Sequence, residues 1–319
     1  PDGEQNVTAK LRRPLDFAAL TDHAELLGEM NICTSDEFSL GRYAPLCLMT
    51  RSNIIYVQFL AANWWKNLGV DRGKSADRSV ICDLPGSDCP KSLLEFWGNI
   101  QRAAEDHYDR SANCEFTTFV AYEYSDAPNF RNLHRNVIFR NERVTEYPIS
   151  AYDTGSRNVP ELWRQLRAEC VDGDAGCDVL AIPHNPNLSG GWMFPDPASM
   201  EEAEDRSFFE PLVELTQHKA SSECRFDRLA GRGLDTADEL CTFEQNKTDN
   251  LSALGVVFGK MRAPEGAPVP LEQFARRNMV RNVLKDGLLL DQTSGLNPFK
   301  LGFIGSTDTH SASPGGADE

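Results

Sequence analysis

The chain has 319 residues, with 32 Lys and Arg against 48 Asp and Glu, and a formal net charge of −16. A body this acidic disfavours nucleic acid or an anionic membrane as a partner. No apolar stretch approaches the roughly 20 residues that cross a bilayer, so we expect no membrane span. The length suits one large α/β domain, and we predict a single domain over 1–319 with insertions, leaving the oligomeric state open.

Apolar, β-rich runs of strand length alternate with amphipathic stretches along the chain. We predict strands over 16–22, 116–125, 134–141, 178–184, 211–217 and 301–308. Helical patterns lie between several of them, including VPELWRQLRAEC and PLEQFARRNMVRNVLKDGLLL. Strand-then-helix repetition with continuous apolar strands predicts a mainly parallel sheet covered by helices.

Two segments interrupt this rhythm. Residues 28–112 predict a helical cap inserted over one rim of the body. Its aromatic side chains are expected to pack the cap onto the body rather than bind a ligand, and they are Trp64, Trp65, Phe96 and Trp97. Residues 225–268, acidic and then rich in Gly and Pro, predict a loop excursion.

Eight of the nine cysteines fall into local pairs in Gly-, Asp- and Ser-rich sequence. The pairs are Cys33 with Cys47, Cys82 with Cys89, Cys170 with Cys177, and Cys224 with Cys241, and Cys114 is left over. Proximity predicts disulfides and hence a periplasmic or secreted protein, with reduced thiols as the alternative. A zinc site formed by these cysteines is disfavoured because no CxxC spacing occurs. The residues before LDFAALTDH do not resemble a signal peptide. We expect that any leader has been removed or lies outside this sequence.

Potential ligands lie at the C-terminal ends of the predicted strands. They are His23, Glu123, His184, His218 and His310. Barrel enzymes carry their chemistry at this edge, and open doubly wound sheets place a crevice there as well. No Gly-rich dinucleotide fingerprint or phosphate loop follows any of these strands, so a barrel with a central metal cluster is the better prediction. His107, in AAEDHYDR, is expected to be an ordinary helical residue.

The last predicted strand ends in LGFIGSTDTHSASPGG. Residues two apart on a strand point to the same side, so Asp308 and His310 could chelate one divalent ion. Mixed imidazole and carboxylate ligands suit Zn, Mn or Fe. The plain alternatives are that a strand-end histidine is a hydrogen-bonded core residue and that Glu123 is a solvated rim charge.

Several motifs occur in a fixed order over nearly the whole chain: RPLDFAALTDHAE, FVAYEYS, NLHRNVIF, IPHNPN, QHKASSEC and GFIGSTDTHSASPG. Together they resemble the polymerase-and-histidinol-phosphatase (PHP) superfamily of metal-dependent phosphoesterases, within a poorly characterised bacterial branch known as a domain of unknown function. The resemblance implies a distorted (β/α)7 barrel with two or three metal ions. The metal ligands that it implies are His23, Glu123, His134, His184, Asp308 and His310, with Glu123 as the bridging carboxylate.

The chain departs from the superfamily at one point. Members open with a strand carrying His-x-His, and no two histidines here have that spacing. Either the sequence lacks flanking parts of the protein, or this member has lost half of its site. We expect the first explanation, in which the N-terminal strand of the barrel is missing from the chain.

The resemblance implies that metal-activated water hydrolyses a phosphate monoester or diester of a small anionic molecule, without a protein nucleophile. Asp22 is expected to orient an imidazole, and His218 with Lys219 to bind the substrate anion or protonate the leaving group. Each could equally be an ordinary surface residue. The residues alone would also suit sulfate or other esters, and a non-catalytic extracellular binding protein with a degenerate barrel is a further alternative.

Two other features lie near the predicted ligands. Arg131 and Arg135 flank His134 and could clamp an oxyanion or form surface ion pairs. The loop NPNLSGGWMF after His184 contains two glycines and Trp192, and it either shapes a pocket lid or is a tight structural loop. If Trp192 lines the site, esters with an apolar or aromatic group would be favoured.

Overall fold

The structure is a computed structural model that describes residues 11, 13–36, 39–68, 80–128, 131–224, 255–257, 260–262 and 275–310. Its strands are β1 Phe17–Ala19, β2 Thr117–Phe119, β3 Ala121–Tyr124, β4 Arg135–Phe139, β5 Val179–Pro183, β6 Leu212–Gln217, β7 Ala220–Ser221, β8 Gly255–Val257, β9 Lys260–Arg262 and β10 Gly302–Gly305. Its helices are α1 Leu27–Thr34, α2 Pro45–Thr50, α3 Ile55–Leu68, α4 Cys89–His107, α5 Ala151–Thr154, α6 Val159–Leu166, α7 Met200–Phe209 and α8 Val280–Ser294. None of these helices is long and apolar enough to cross a membrane.

The strands form small sheets of mixed direction. β3, β4 and β5 pair antiparallel in that order, whereas β10 pairs parallel with β6, which pairs antiparallel with β7. β1 pairs parallel with β2, and β8 pairs antiparallel with β9. The predicted (β/α)7 barrel and mainly parallel sheet are therefore wrong, because the sheets of the described residues have two or three strands and none closes.

The connection between β3 and β4 explains part of this error. Parallel neighbours need a crossover of a dozen or more residues, usually with a helix. Only residues 125–134 join β3 to β4, so the chain turns back and pairs antiparallel. The sequence shows no helical pattern between these two strands, whereas β4 and β5 pair antiparallel even with α5 and α6 between them.

The predicted strand positions agree better with the structure than the predicted topology does. Each of the six predicted ranges contains an observed strand, although most observed strands are shorter. The range 116–125 divides into β2 and β3 on either side of Val120, whose carbonyl accepts a hydrogen bond of 3.0 Å from Phe139. Within 225–268, the predicted loop excursion, only β8 and β9 belong to the described residues.

The main hydrophobic core lies between the β3-β4-β5 sheet and helices α4 and α6. Apolar side chains of α6 recur at spacings of three and four residues, which gives the helix one buried face. That face consists of Val159, Leu162, Trp163 and Leu166. It packs with Tyr122 and Phe139 of the sheet and with Trp97 of α4, which also donates a hydrogen bond of 3.0 Å to the Thr145 carbonyl.

The described part of the segment 28–112 contains α2, α3, α4 and all but the first residue of α1, with a second hydrophobic cluster. Trp65 of α3 is buried in this second cluster, whereas Trp97 of α4 is buried in the main core. Helix α4 also reaches the second cluster through Cys89. The expectation that the cap aromatics are packing residues thus agrees with these two side chains. Trp64 differs, since half of it is exposed.

Three of the four predicted disulfides are confirmed: Cys33–Cys47, Cys82–Cys89 and Cys170–Cys177. Cys114 is free and exposed, as the left-over cysteine of the prediction. The fourth predicted pair includes Cys241, which lies outside the described residues. Three disulfides fit a protein of an oxidising compartment.

Arg135 does not lie at the surface, which corrects the idea that it clamps a ligand oxyanion. Its Nε donates to Glu210 Oε1 at 2.8 Å, and Arg206 donates to Glu210 Oε2 at 3.0 Å. All three side chains are at most 1% exposed. They form a buried ion-paired group behind β4, where removal of one partner would leave an uncompensated charge.

The disulfide between α1 and α2 gives the first prediction. Double substitution Cys33→Ala with Cys47→Ala opens a link that spans 14 residues, and we expect a loss of about 3 kcal/mol in the free energy of unfolding. Urea denaturation measures it. The matched control is Cys114→Ala, which removes an exposed free thiol and should change nothing; equal stability of the double variant and wild type would contradict the prediction.

Candidate metal centre

Glu123 is the centre of a buried group of imidazoles. His134 Nδ1 lies 2.7 Å from Glu123 Oε1, and His23 Nδ1 lies 3.2 Å from Oε2. His184 Nε2 lies 3.7 Å from Oε1. The side chain of His23 is 48% exposed, whereas the other three residues are buried. One carboxylate therefore contacts three imidazoles, and solvent reaches the group at His23.

Backbone pairing between strand ends brings these four residues together. Glu123 lies on β3, and a parallel bridge joins it to His23, four residues after β1. His134 directly precedes β4, the antiparallel neighbour of β3. The N–H of His184, directly after β5, donates to the His134 carbonyl at 3.2 Å. Each histidine thus comes from a different strand end, although not from a barrel.

A second group lies at the ends of β6 and β10, which are parallel neighbours. His218 Nε2 lies 3.8 Å from Asp308 Oδ2, and the Lys219 ammonium forms an ion pair with the same oxygen. The rings of His218 and His310 are 5.5 Å apart. Asp308 has φ 48°, a left-handed conformation that side chains with a Cβ rarely adopt. Such outliers cluster at functional sites, which is a reason to look for chemistry here.

The two groups adjoin each other. The ring centroids of His23 and His310 are 6.2 Å apart, and those of His134 and His184 are 4.7 Å apart. The predicted metal ligands His23, Glu123, His134, His184, Asp308 and His310 therefore share one neighbourhood, with His218 and Lys219 beside them. Two subsets have ligand atoms within 4.8 Å of one another, namely His23 with Glu123 and His134, and His218 with Asp308 and His310.

Charge and burial set the protonation of this neighbourhood. Burial alone would raise the pKa of the Glu123 carboxyl, but the imidazoles of His134 and His23 lower it well below its usual range. Burial lowers the pKa of His184 to about 3, and the nearby His134 acts in the same direction. Burial acts to raise the pKa of Asp308, yet Lys219 lowers it overall. The groups are thus arranged as ionised carboxylates beside a neutral His184.

Three buried imidazole nitrogens have no hydrogen-bond partner in the described part of the chain. They are His134 Nε2 and both ring nitrogens of His184. Buried polar atoms are nearly always paired, because an unpaired one costs about 1–3 kcal/mol. Imidazole nitrogens beside carboxylate oxygens are the donor set that Zn, Mn or Fe ions take. The residues present therefore fit a divalent cation.

A third group of potential ligands, formed by Glu29, Cys82 and Cys89, does not fit a cation in the same way. Its two cysteines form a disulfide, so neither offers a thiolate. Glu29 Oε1 lies 3.3 Å from Cys82 Sγ.

The orienting role of Asp22 stays a prediction. Burial raises the pKa of its carboxyl and the nearby His23 acts to lower it, while its carbonyl accepts the N–H of Glu123. The Ser125 hydroxyl also hydrogen-bonds the His23 ring. The N–H of Ser125 donates at 2.9 Å to Glu25, a buried carboxylate. The string TDHAE contains this second acidic residue, and its spacing of two from His23 was the available signal.

Glu214 is another functional-site neighbour that the sequence reading missed. It is fully buried on β6 and accepts the N–H of Asn185 at 2.8 Å. It also accepts the hydroxyl of Ser306. Glu214 thus ties the residue after His184 to the segment before Asp308. The string VELTQ carries no mark of this role, since an alternating strand can point a glutamate to water.

Fold and site together define a mixed α/β protein with adjoining histidine–carboxylate groups suited to divalent cations. The chain belongs to the family described as protein of unknown function (DUF3604), which matches residues 2–319. No curated protein and no solved structure matches the chain. The resemblance to the PHP superfamily stays a prediction.

The buried neutral His184 predicts a pH dependence of the metal-free protein. As pH falls from 6.5 towards 3, the unfolded chain binds a proton that folded His184 does not, so the free energy of unfolding falls in this window. His184→Gln should make this dependence shallower by up to about 1.4 kcal/mol per pH unit. Urea denaturation in a chelating buffer between pH 6.5 and 4 measures the slope.

The control for this experiment is His107→Gln, which changes an exposed histidine at the end of α4. Its slope should equal that of wild type. If His184→Gln also kept the wild-type slope, His184 would not be the neutral buried group described above.

Proposed function

We propose that this protein is a hydrolase of small phosphate esters that uses two or three divalent metal ions at the histidine–carboxylate centre. The proposal includes membership of the PHP superfamily on the basis of its ordered motifs. The convergence of these motifs on one neighbourhood supports it most directly. In particular, Glu123 contacts imidazoles from three strand ends, and His23 adjoins the group that contains Asp308.

The residues divide naturally between more than one ion. Glu123, with His134 and His23, would hold one ion, and Asp308 with His310 would hold another, with His218 beside the second ion. His184 has both ring nitrogens unpaired and would complete the first set. Zn, Mn and Fe suit this mixture of imidazole and carboxylate, which disfavours Ca or Mg alone.

Bound divalent ions supply activation of water and stabilisation of charge on the attacking and leaving oxygens. The chain itself supplies a cation and an acid beside them. Lys219 is held by its ion pair with Asp308, and its ammonium would bind a substrate oxyanion. His218 is about half-exposed, and its ring lies near that same carboxylate, so it can deliver a proton to a leaving group.

The substrate class rests on the motif resemblance rather than on geometry. Metal-assisted hydrolysis would act on sulfate esters with the same residues, and this is the second candidate. The formal charge of −16 does not oppose an anionic substrate, because bound cations and Lys219 give the site a local positive charge. The three disulfides support a periplasmic or secreted location for this activity.

The proposal predicts that Glu123→Gln abolishes both metal binding and turnover, because the amide keeps the shape but loses the charge between the imidazoles. We expect kcat/KM on p-nitrophenyl phosphate or bis-p-nitrophenyl phosphate to fall by at least about 100-fold. That loss exceeds the usual effect of changing a residue that only orients a metal ligand. Elemental analysis after loading with Zn, Mn or Fe measures the bound metal. Treatment of the wild-type protein with a chelator should abolish its turnover.

His107→Gln is the matched control, because it removes an imidazole that lies away from the centre on α4 and is exposed. It should keep full metal content and activity. Turnover of p-nitrophenyl sulfate alone would replace the phosphate assignment by the sulfate one. Bound metal with no turnover of any ester would favour the non-catalytic binding protein, and full activity of Glu123→Gln would refute the proposed centre.

A further inference from the structure

Two arginines lie against one tryptophan in loops that adjoin the strand ends of the candidate centre. The Arg131 Cζ atom is 4.0 Å from the centroid of the Trp192 ring, and the Arg157 Cζ atom is 3.8 Å from it. The three residues come from separate segments: the β3–β4 connection, the turn after α5 and the loop after β5. We call them the Arg–Trp–Arg group.

Two residues with positive φ angles, Gly190 and Arg157, accommodate this group. Gly190 has φ +63°, and a Cβ there would lie 2.6 Å from Arg131 Nε, so only glycine leaves room for that side chain. Arg157 itself has φ 60°, a conformation that residues with a Cβ rarely adopt. Its N–H donates at 2.6 Å to Asp126, whose carboxylate is 1% exposed. A buried carboxylate thus holds Arg157 in an uncommon conformation that directs it to the indole.

The group concentrates positive charge in an acidic protein. Exposed arginines elsewhere, such as Arg140, Arg143 and Arg164, each pair with a carboxylate. The Arg157 guanidinium is exposed and forms no ion pair with a described carboxylate. Burial, and then the charge of Arg157, lower the pKa of Arg131. The charge of Arg157, which stacks on the indole without a described carboxylate partner, would be stabilised by an anion.

The backbone of the group is connected to that of the candidate centre. Arg131 precedes His134 by three residues, so their Cα atoms are at most about 10 Å apart. The N–H of Leu133 donates at 2.8 Å to the carbonyl of Asp126, the residue that also holds Arg157. This backbone spacing is of the size that a substrate with two separated anionic groups spans.

We propose that Arg131, Trp192 and Arg157 form a subsite for a second anionic group of the substrate, a carboxylate or a phosphate remote from the ester that is hydrolysed. This inference rests on the proposed function and narrows its substrate class to esters that carry two separated anionic groups. Guanidinium forks bind carboxylate and phosphate with paired hydrogen bonds, and stacking on the indole fixes their planes before the ligand arrives.

Kinetics on matched substrates test the subsite in the metal-loaded full chain. Phenyl phosphate is compared with 4-carboxyphenyl phosphate and 4-(carboxymethyl)phenyl phosphate as the carboxylate arm, and with 1,4-phenylene bisphosphate as the phosphate arm. We expect kcat/KM to be higher by about tenfold or more for at least one doubly anionic ester, the gain of one charged hydrogen-bonded pair. The arm with the larger ratio identifies the group.

Three variants then locate the gain. Arg157→Met and Arg131→Met keep an unbranched side chain against the indole but remove the charge, and both should bring the ratio towards one. Gly190→Ala keeps both charges but displaces Arg131, and it should lower the ratio as well. Arg140→Met, which breaks an exposed ion pair with Asp178, is the control and should keep the wild-type ratio. A wild-type ratio of one for every ester, or an unchanged ratio in Arg157→Met, would overturn the subsite.

Equilibrium binding separates failure of the subsite from failure of the hydrolase. Isothermal titration of the chelated full chain with benzene-1,4-dicarboxylate or phenylphosphonate needs no turnover and removes competition from bound metal. Binding that weakens by about tenfold in Arg157→Met but not in Arg140→Met supports the subsite, even if no ester is hydrolysed. The subsite is refuted if the wild type does not bind these ligands, or if all variants bind them equally, and the kinetics also show no dependence on either arginine.

Discussion

The burial of one carboxylate among imidazoles is the constraint on which the rest of the candidate centre depends. Glu123 is 5% exposed, and a charge at that depth is tolerated only with partners of opposite charge or with hydrogen-bond donors. His134 and His23 supply them, and their effect outweighs burial, so the carboxyl stays ionised. The bridge from β1 to β3, the turn into β4 and the end of β5 all place an imidazole against this carboxylate. Three backbone segments that are distant in sequence are thereby fixed relative to one another.

Strand β4 is also held in place by a contact on its opposite face. Successive residues of a strand point to opposite sides, so His134 faces Glu123 while Arg135 faces Glu210. A slip of β4 by one residue would turn His134 and Arg135 to the wrong faces and leave both buried carboxylates without their partners. The pairing of β4 is therefore specified by polar contacts on two faces in addition to the apolar contacts of Val137 and Phe139. The precision of the centre follows from this double constraint.

The sequence allowed strand positions and the meeting of ligand types to be predicted, but not the topology. Apolar runs located the six predicted strands, and the rule that ligands follow strand ends brought His23, His184 and His310 into one set. The spacing of the cysteines located three disulfides, because two thiols that are separated by a short polar loop can meet. Strand direction was wrong because it depends on the length and content of each connection. Residues 125–134 contain no crossover helix, and β4 and β5 pair antiparallel even though α5 and α6 lie between them. A pattern averaged over the chain does not show these differences.

Side-chain direction is the other quantity that a linear motif conceals. Arg131 and Arg135 flank His134 at similar distances in the sequence, and both looked equally able to bind an oxyanion. Arg135 lies on the strand and alternation turns it into the core, where Glu210 neutralises it. Arg131 lies in the connection, outside that alternation, and the space left by Gly190 lets it reach Trp192. An arginine whose charge is not paired with a carboxylate of the protein is the one that can bind a ligand anion. Arg157 is exposed beside the same Trp192 ring. We therefore expect an anion to bind there and not at the buried face of β4 that contains Arg135.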